Sequence, residues 1–298
     1  MTKYELFNWA VFSLFLISAA CVVIAYIKSH TIFRPFPKQP LNYTPENFSL
    51  AFENIEFSTS DNITLKGWFI PSTGGESSRT IILCHGRGSN KGELLKDTHF
   101  LARNGFNLFY FDFRGWGESK GEISSIGYFE TRDFDAAHEF VKKHRPDYSE
   151  GIGVFGISMG ASVAIYAAAR NPGIKCMLAE NAFYSYERVI ANWSWFRLKI
   201  PYYPLIPLTL AFVKLRLGDN PDLYSPVHNV DKISQPVFLI NGDNDDLVPL
   251  EDARRLFKKC SSVQKDLWIL TGSPHGKCAE VGGEAYKERV SRFFKENL

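Results

Sequence analysis

A serine stands between two glycines in the segment Gly156-Ile157-Ser158-Met159-Gly160. The residues before it, 152–155, form a short apolar run, and the Ala-rich residues 160–170 after it have helical character. This context predicts a sharp turn from a strand into a helix, where glycines leave room beside the serine. A helix N-terminus stabilises negative charge, which develops when a serine oxygen attacks a carbonyl. The segment therefore predicts Ser158 as the nucleophile of an acyl-transfer reaction.

A serine hydroxyl is a weak nucleophile unless a base removes its proton and an acid orients that base. In chains with this kind of turn, the order along the sequence is serine, then acid, then histidine. His275 is the last histidine and follows a predicted strand at 265–270, so its loop can reach Ser158. His228 lies in a Pro-flanked loop before the predicted strand 237–241 and fits this order poorly. We therefore predict His275 as the general base.

The acid that orients the base is expected just after the predicted strand 237–241. Asp243, Asp245 and Asp246 all lie there, and Glu180 follows another predicted strand at 175–179. The spacing alone leaves these four carboxylates open as candidates.

Two backbone N–H groups are expected to stabilise the oxyanion of the reaction. One belongs to Met159, the residue after the nucleophile, and the other comes from the loop after the predicted strand 80–84.

Strand and helix patterns alternate along the rest of the chain. Short apolar strands between helices indicate a mostly parallel sheet with helices on both faces, which is an α/β fold class, in one domain at 53–298. The predicted strands are 54–58, 65–70, 80–84, 107–111, 152–155, 175–179, 237–241 and 265–270. The predicted helices are 91–104, 128–144, 160–170, 250–259 and 283–297. The net charge of +2, without a long basic run, argues against a nucleic-acid partner.

Residues 185–217 interrupt this alternation. They lie between two predicted core strands and are too many for a simple connection. They are rich in aromatic residues and contain three prolines, so we interpret them as a small inserted cap. The charged residues in and around the cap are mostly basic: Arg188, Arg197, Lys199, Lys214 and Arg216, against Glu187 and Asp219.

The N-terminal residues 7–27 are apolar and uncharged, a length that spans the hydrocarbon core of a bilayer. We predict a single-pass membrane anchor at 1–30, followed by a Pro-containing linker at 31–52. The alternative is a cleaved signal peptide, but the apolar run continues past the small residues 18–20. More basic residues follow the apolar run than precede it, which places the catalytic domain in the cytoplasm.

The five cysteines show no zinc-ligand spacing, and no metal or other cofactor is predicted. A pair between Cys260 and Cys278 in an oxidising compartment is left open.

Five parts of the chain resemble one family: 83–88, 111–119, 156–160, 242–249 and His275. The chain resembles the α/β-hydrolases of the serine aminopeptidase and monoacylglycerol-lipase-like group, and particularly their membrane-anchored, BEM46-like branch. The resemblance implies the α/β-hydrolase fold. It selects Asp245 as the acid, because that residue stands three places before the valine of a Val-Pro pair. It assigns the second oxyanion N–H to Arg87, whose side chain we interpret as a solvent-exposed loop group. The alternative is that this side chain meets an anionic substrate at the mouth of the site. Pro274 departs from the family's usual Gly or Thr before the histidine.

These observations predict a serine hydrolase that cleaves carboxylic esters or thioesters of a small-molecule or lipid acyl substrate. One alternative is a serine aminopeptidase or other peptidase on the same fold, which would need an acidic cluster near the cap to bind a substrate amine. The other is an inactive binding protein. The sequence gives neither the acyl chain nor the oligomeric state.

Overall fold

The computed structural model describes residues 1–35 and 37–298. Its centre is an eight-stranded sheet in the order β1-β2-β4-β3-β5-β6-β7-β8. The strands are β1 Glu53–Ser58, β2 Thr64–Ile70, β3 Arg79–Cys84, β4 Asn107–Phe111, β5 Gly151–Ile157, β6 Ile174–Glu180, β7 Val237–Gly242 and β8 Lys265–Leu270. Strand β2 is antiparallel to both β1 and β4. The six strands β3 to β8 are parallel to one another. The sheet is thus mostly parallel, as predicted.

Helices cover both faces of this sheet. The helices of the described chain are α1 Lys3–Phe33, α2 Lys91–Thr98, α3 Phe100–Arg103, α4 Glu130–His144, α5 Met159–Arg170, α6 Tyr186–Leu198, α7 Leu205–Leu217, α8 Leu250–Lys259 and α9 Cys278–Asn297. Side chains of α4, α5 and α8 pack on one face of the sheet, and those of α2, α3 and α9 on the other. Because the central strands are buried on both faces, they read as continuous apolar runs in the sequence.

Helix bounds differ from the predictions by one residue at the start of α5 and by more at three other places. The predicted helix 91–104 is divided into α2 and α3, and α4 begins two residues later than predicted. Helix α9 begins at Cys278, five residues before the predicted start at 283. Gly283 has φ 51° and ψ −129°, so it forms a kink inside α9. The sequence pattern detected only the part of the helix after this kink.

The predicted cap contains two helices, α6 and α7, which share an apolar cluster with Phe183 and Val248 of the main domain. Helix α1 packs against α7: Arg216 Nε donates to Ser29 Oγ at 3.0 Å, and the rings of Tyr26 and Phe212 lie 5.5 Å apart. The cap therefore packs on α1 as well as on the loops that follow β6 and β7.

In the described part of the chain, α1 is the one helix long and apolar enough to cross a membrane. It extends to Phe33, beyond the predicted end of the anchor at residue 30. The predicted linker 31–52 includes residue 36, which lies outside the described residues. Elsewhere in that stretch a short 3-10 helix, Pro45–Phe48, packs on the domain, with the Phe48 ring stacked 4.1 Å from that of His99.

The described cysteines, at positions 21, 84, 176, 260 and 278, are all free thiols. Cys260 and Cys278 are both buried and do not form the disulfide that the sequence left open.

Candidate active site

Ser158 occupies the turn between β5 and α5 with φ 55° and ψ −112°, a backbone conformation that L-residues rarely adopt. The neighbouring glycines make this turn possible. A Cβ added at Gly156 would lie 2.2 Å from the Gly160 carbonyl oxygen, and one at Gly160 would lie 2.1 Å from that of Cys84. The Ser158 N–H donates to the Glu180 carbonyl oxygen at 2.8 Å, which ties the turn to β6. The strained turn fixes the hydroxyl at the carboxyl edge of the sheet.

The loop after β8 brings His275 to this hydroxyl. His275 Nε2 lies 3.0 Å from Ser158 Oγ, and His275 Nδ1 lies 2.7 Å from Asp245 Oδ2. Asp245 is buried, and its Oδ1 accepts from the N–H groups of Leu247 at 2.9 Å and Val248 at 2.7 Å. These donors stabilise a charged carboxylate. The structure therefore aligns serine, imidazole and carboxylate in one hydrogen-bonded row.

The other three candidate acids have different partners. Asp243 is exposed and accepts from the Gly272 N–H at 2.6 Å, and Asp246 is exposed at the rim of a cavity. Glu180 is buried and accepts from the Tyr286 hydroxyl at 2.6 Å. Burial raises the pKa of the Glu180 carboxyl to about 7. The geometry thus separates Asp245 from the carboxylates that spacing left equivalent.

His228, the histidine that the chain order disfavoured, lies apart from this row. It is exposed, and its Nε2 is 3.3 Å from Asp222 Oδ2.

Sequence reasoning missed Asn181, which supports the histidine loop and the acid together. Its Nδ2 donates to Asp245 Oδ2 at 2.9 Å, and its Oδ1 accepts from the Gly276 N–H at 3.1 Å. Asn181 directly follows β6 with φ 49°. Asn tolerates this left-handed conformation better than most residues. The sequence signal for Asn181 is a polar residue directly after a central strand, where site residues are expected.

The two residues predicted to supply oxyanion N–H groups flank Ser158. Met159 is the first residue of α5, and Arg87 lies in the loop after β3. Both line one cavity with Ser158 and His275. His85 shapes this loop: its Nε2 accepts from the Phe113 N–H at 3.0 Å, so its Nδ1 donates to the Gly86 carbonyl oxygen at 2.7 Å.

The interpretation of the Arg87 side chain as a solvent-exposed loop group is wrong. Its Nη2 donates to the carbonyl oxygens of Ile32 at 2.7 Å and Arg34 at 3.2 Å. The last carbonyls of a helix lack partners within that helix, and Arg87 binds one of them at the end of α1. A contact across 55 residues leaves no local pattern in the sequence.

Ser158 and His275 lie between two cavities of different character. The larger has a volume of about 800 Å³ and is bounded by α1, α6 and α7. Much of its wall is apolar, including Ile126, Phe183, Ile190, Trp193, Phe196 and Leu205. The smaller, about 250 Å³, is lined by the 86–89 loop and by charged side chains such as Lys96, Asp97 and Lys277. The site can therefore hold an apolar group on one side of the serine and a polar group on the other.

Comparison with known proteins identifies the group to which this fold belongs. A family model described as serine aminopeptidase, S33, matches residues 75–210. The uncharacterized protein YqkD of Bacillus subtilis is 30% identical over 220 residues, which cover 73% of this chain and 72% of YqkD. Protein bem46 of Schizosaccharomyces pombe is 28% identical over 258 residues, covering 85% of this chain and 80% of bem46.

A solved structure agrees with these relatives. The esterase Pf2001 of Pyrococcus furiosus superposes with a TM-score of 0.75 at 30% identity, covering 89% of this chain and 98% of the esterase. The α/β-hydrolase fold and the family resemblance predicted from the sequence are thereby confirmed. The chain belongs to the α/β-hydrolases of the serine aminopeptidase S33 family and is a homologue of bem46.

Proposed function

We propose that this hydrolase is a serine esterase that cleaves carboxylic esters or thioesters through an acyl-enzyme. The observation that carries the proposal is the row of contacts from Ser158 Oγ through His275 to Asp245, with separations of 3.0 and 2.7 Å. Such a row supplies a nucleophile, a general base and the acid that orients the base.

In the first half of the reaction, Ser158 Oγ attacks the acyl carbonyl carbon while His275 Nε2 takes the hydroxyl proton. The carbonyl electrons move onto oxygen, where the N–H groups of Met159 and Arg87 donate to the oxyanion. Removal of one such donor typically costs about 3 kcal/mol of transition-state stabilisation. The bond to the leaving oxygen or sulfur then breaks, and His275 gives its proton to the leaving group.

In the second half, His275 removes a proton from water as that water attacks the acyl-enzyme. The bond between the acyl carbon and Ser158 Oγ breaks, the free acid leaves and the proton returns to Ser158. Throughout, Asp245 accepts from Nδ1–H and stabilises the imidazolium, while Leu247, Val248 and Asn181 hold the carboxylate in place.

The lining of the larger cavity favours an apolar acyl group over an amino-terminal peptide residue. Apart from Arg87 and His275, the ionisable side chains on the described wall of this cavity are the basic Lys28, Arg197 and Lys199 and the acidic Asp246. A substrate amine would thus meet mainly positive charge. The esterase activity stated for Pf2001 supports the same choice.

The wild-type enzyme should hydrolyse p-nitrophenyl esters with a kcat/KM that rises by up to about fifteenfold for each added pair of methylenes, until the cavity is filled. The reason is that each methylene removed from water contributes about 0.8 kcal/mol. The measurement is kcat/KM from acetyl to palmitoyl, below the aggregation limit of each ester, with aminoacyl p-nitroanilides measured in parallel. A steady fall beyond butyryl would reject an apolar acyl substrate, and faster cleavage of the anilides would indicate a peptidase.

We also propose that α1 is an uncleaved single-pass anchor with the catalytic domain on the cytoplasmic side. The large apolar side chains of its first half are exposed, for example Phe7, Leu14 and Ile17. The protein should therefore stay in the membrane fraction during alkaline carbonate extraction, and its domain should be digested by protease only from the cytoplasmic side. A soluble form that begins near residue 20 would contradict the anchor.

A further inference from the structure

The end of α1 forms one wall of the cavity that holds Ser158 and His275. Ile24, Lys28, Thr31 and Ile32 all line this cavity. Their spacing of four, three and one residues places them on a single face of the helix. The proposed membrane helix therefore belongs to the site itself, in addition to any role as an anchor.

Specific contacts fix this end of α1 in place. Ala25 and Ser29 are fully buried against the domain. The Ser124 N–H donates to the Phe33 carbonyl oxygen at 2.9 Å, and Arg87 binds the carbonyl of Ile32. Because Arg87 also lies in the oxyanion loop, the same side chain connects α1 to the reacting centre.

The two isoleucines lie at different heights along this wall. Ile32 is bound through its carbonyl to the Arg87 side chain, whereas Ile24 is eight residues earlier, about 12 Å along the helix axis. The apolar run 7–27 spans about 31 Å, close to the thickness of the hydrocarbon core. Ile24 lies in the last turn of this run, near the surface of the bilayer, an apolar level suited to the end of an acyl chain.

The cap forms another wall of this cavity. Phe196 and Leu198 of α6 line it together with Ile24. Their exposed fractions are 42% and 41%, and that of Ile24 is also 41%. Large apolar side chains that are partly open to solvent and share one cavity provide a surface for an apolar chain.

We propose that the docked end of α1 is part of the acyl-binding site, and that Ile24 and Ile32 are specificity-determining residues that contact the acyl chain and limit its length. The proposal rests on the ester hydrolysis proposed above. Ile32 contacts the part of the chain near the carbonyl, and Ile24 contacts its far end. A larger side chain at position 24 should therefore exclude only long acyl chains, whereas one at position 32 should also exclude shorter chains.

The test uses full-length protein in detergent micelles and p-nitrophenyl esters from butyryl to palmitoyl. Ile24→Trp should lower the ratio of kcat/KM for palmitoyl to that for butyryl about tenfold or more, because the larger ring fills the far end of the cavity. Ile32→Trp should reduce kcat/KM already at hexanoyl. The matched control is Ile27→Trp on the same helix, because Ile27 is 53% exposed and lies outside the cavity wall. It should keep the wild-type profile within about twofold.

Stoichiometric labelling by a small fluorophosphonate verifies that each variant is folded, and Ile24→Ala, which enlarges the cavity, replaces any tryptophan variant that fails this check. Ile24→Ala should raise the palmitoyl-to-butyryl ratio. If the profiles of the Ile24 variants coincide with that of Ile27→Trp while the wild type hydrolyses the series, the α1 proposal is overturned and the esterase proposal stands. If the wild type hydrolyses none of the esters, the esterase proposal itself fails.

Discussion

Ser158→Ala should lower kcat for ester hydrolysis by about 10⁴-fold to 10⁶-fold, because the proposed acyl-enzyme forms through the Ser158 hydroxyl. The alanine removes only the hydroxyl, and the turn conformation is held by Gly156, Gly160 and the bond from residue 158 N–H to the Glu180 carbonyl. The free energy of unfolding should therefore change little. Covalent labelling by a fluorophosphonate should disappear together with hydrolysis.

Ser162→Ala is the matched control for this substitution. Ser162 is buried and lies one turn further along α5, where its N–H donates to the Ser158 carbonyl oxygen at 3.1 Å. This variant should keep both hydrolysis and labelling near the wild-type level. If Ser158→Ala retained more than about a tenth of the wild-type rate while folded, the proposed nucleophile would be wrong.

The parts of the site that sequence could predict are those written in local patterns. The strand-to-helix turn at Ser158 combines an apolar run, two glycines and a helical segment, and each of these is readable within a few residues. His275 is predicted as the base because it follows the last strand. These features are local because strands and helices set their own side-chain periods.

The choice of acid was beyond such patterns. Three aspartates occur within four residues, and they differ in burial and in the N–H groups that face them. Those properties depend on how the loop folds over β7 and β6. The sequence selected Asp245 only through a family resemblance.

Long-range docking was likewise unpredictable. The apolar run 7–27 indicated a membrane helix, but nothing in it showed that Ser29 would bind Arg216, 187 residues later. No pattern in the sequence predicts the contact between Arg87 and Ile32 either. Such contacts between helix ends and distant side chains have no repeat, so only the folded structure reveals that α1 shares the cavity wall.

Asp245→Asn should lower kcat by about 10⁴-fold with the fold intact, an effect of the size found when a triad aspartate is replaced by asparagine. Asp245 uses both oxygens as acceptors: Oδ1 faces the Leu247 and Val248 N–H groups, and Oδ2 faces His275 Nδ1. Asparagine has one carbonyl oxygen, which the two backbone donors should take. Its NH₂ group then faces His275 and favours the tautomer whose proton is on Nε2, which cannot accept the Ser158 proton.

Three further variants serve as controls for this assignment. Asp243→Asn and Asp246→Asn should keep kcat within severalfold of wild type, because both carboxylates are exposed and neither is bonded to His275 in the described part of the chain. Glu180→Gln should also remain active, since Glu180 is bonded to Tyr286.

Glu180→Gln should also change the pH dependence of stability, which tests whether the Glu180 carboxyl is buried as in the structure. Its pKa is about 7 in the folded chain against an ordinary value of 4.5, so the folded state binds more protons between these pH values. Wild-type stability therefore falls as the pH rises through that window. Removing the ionisable group should stabilise the protein at pH 8 by up to about 3 kcal/mol relative to its effect at pH 4.5.

The four variants together decide the identity of the acid through kcat measured on one short ester, with thermal unfolding followed at pH 4.5 and pH 8. The expected pattern is a large loss for Asp245→Asn alone. A folded Asp245→Asn enzyme with wild-type kcat would refute the assignment. If Glu180→Gln lost activity instead, the carboxylate at the end of β6 would be the acid, and the 2.7 Å contact between His275 and Asp245 would have to give way during the reaction.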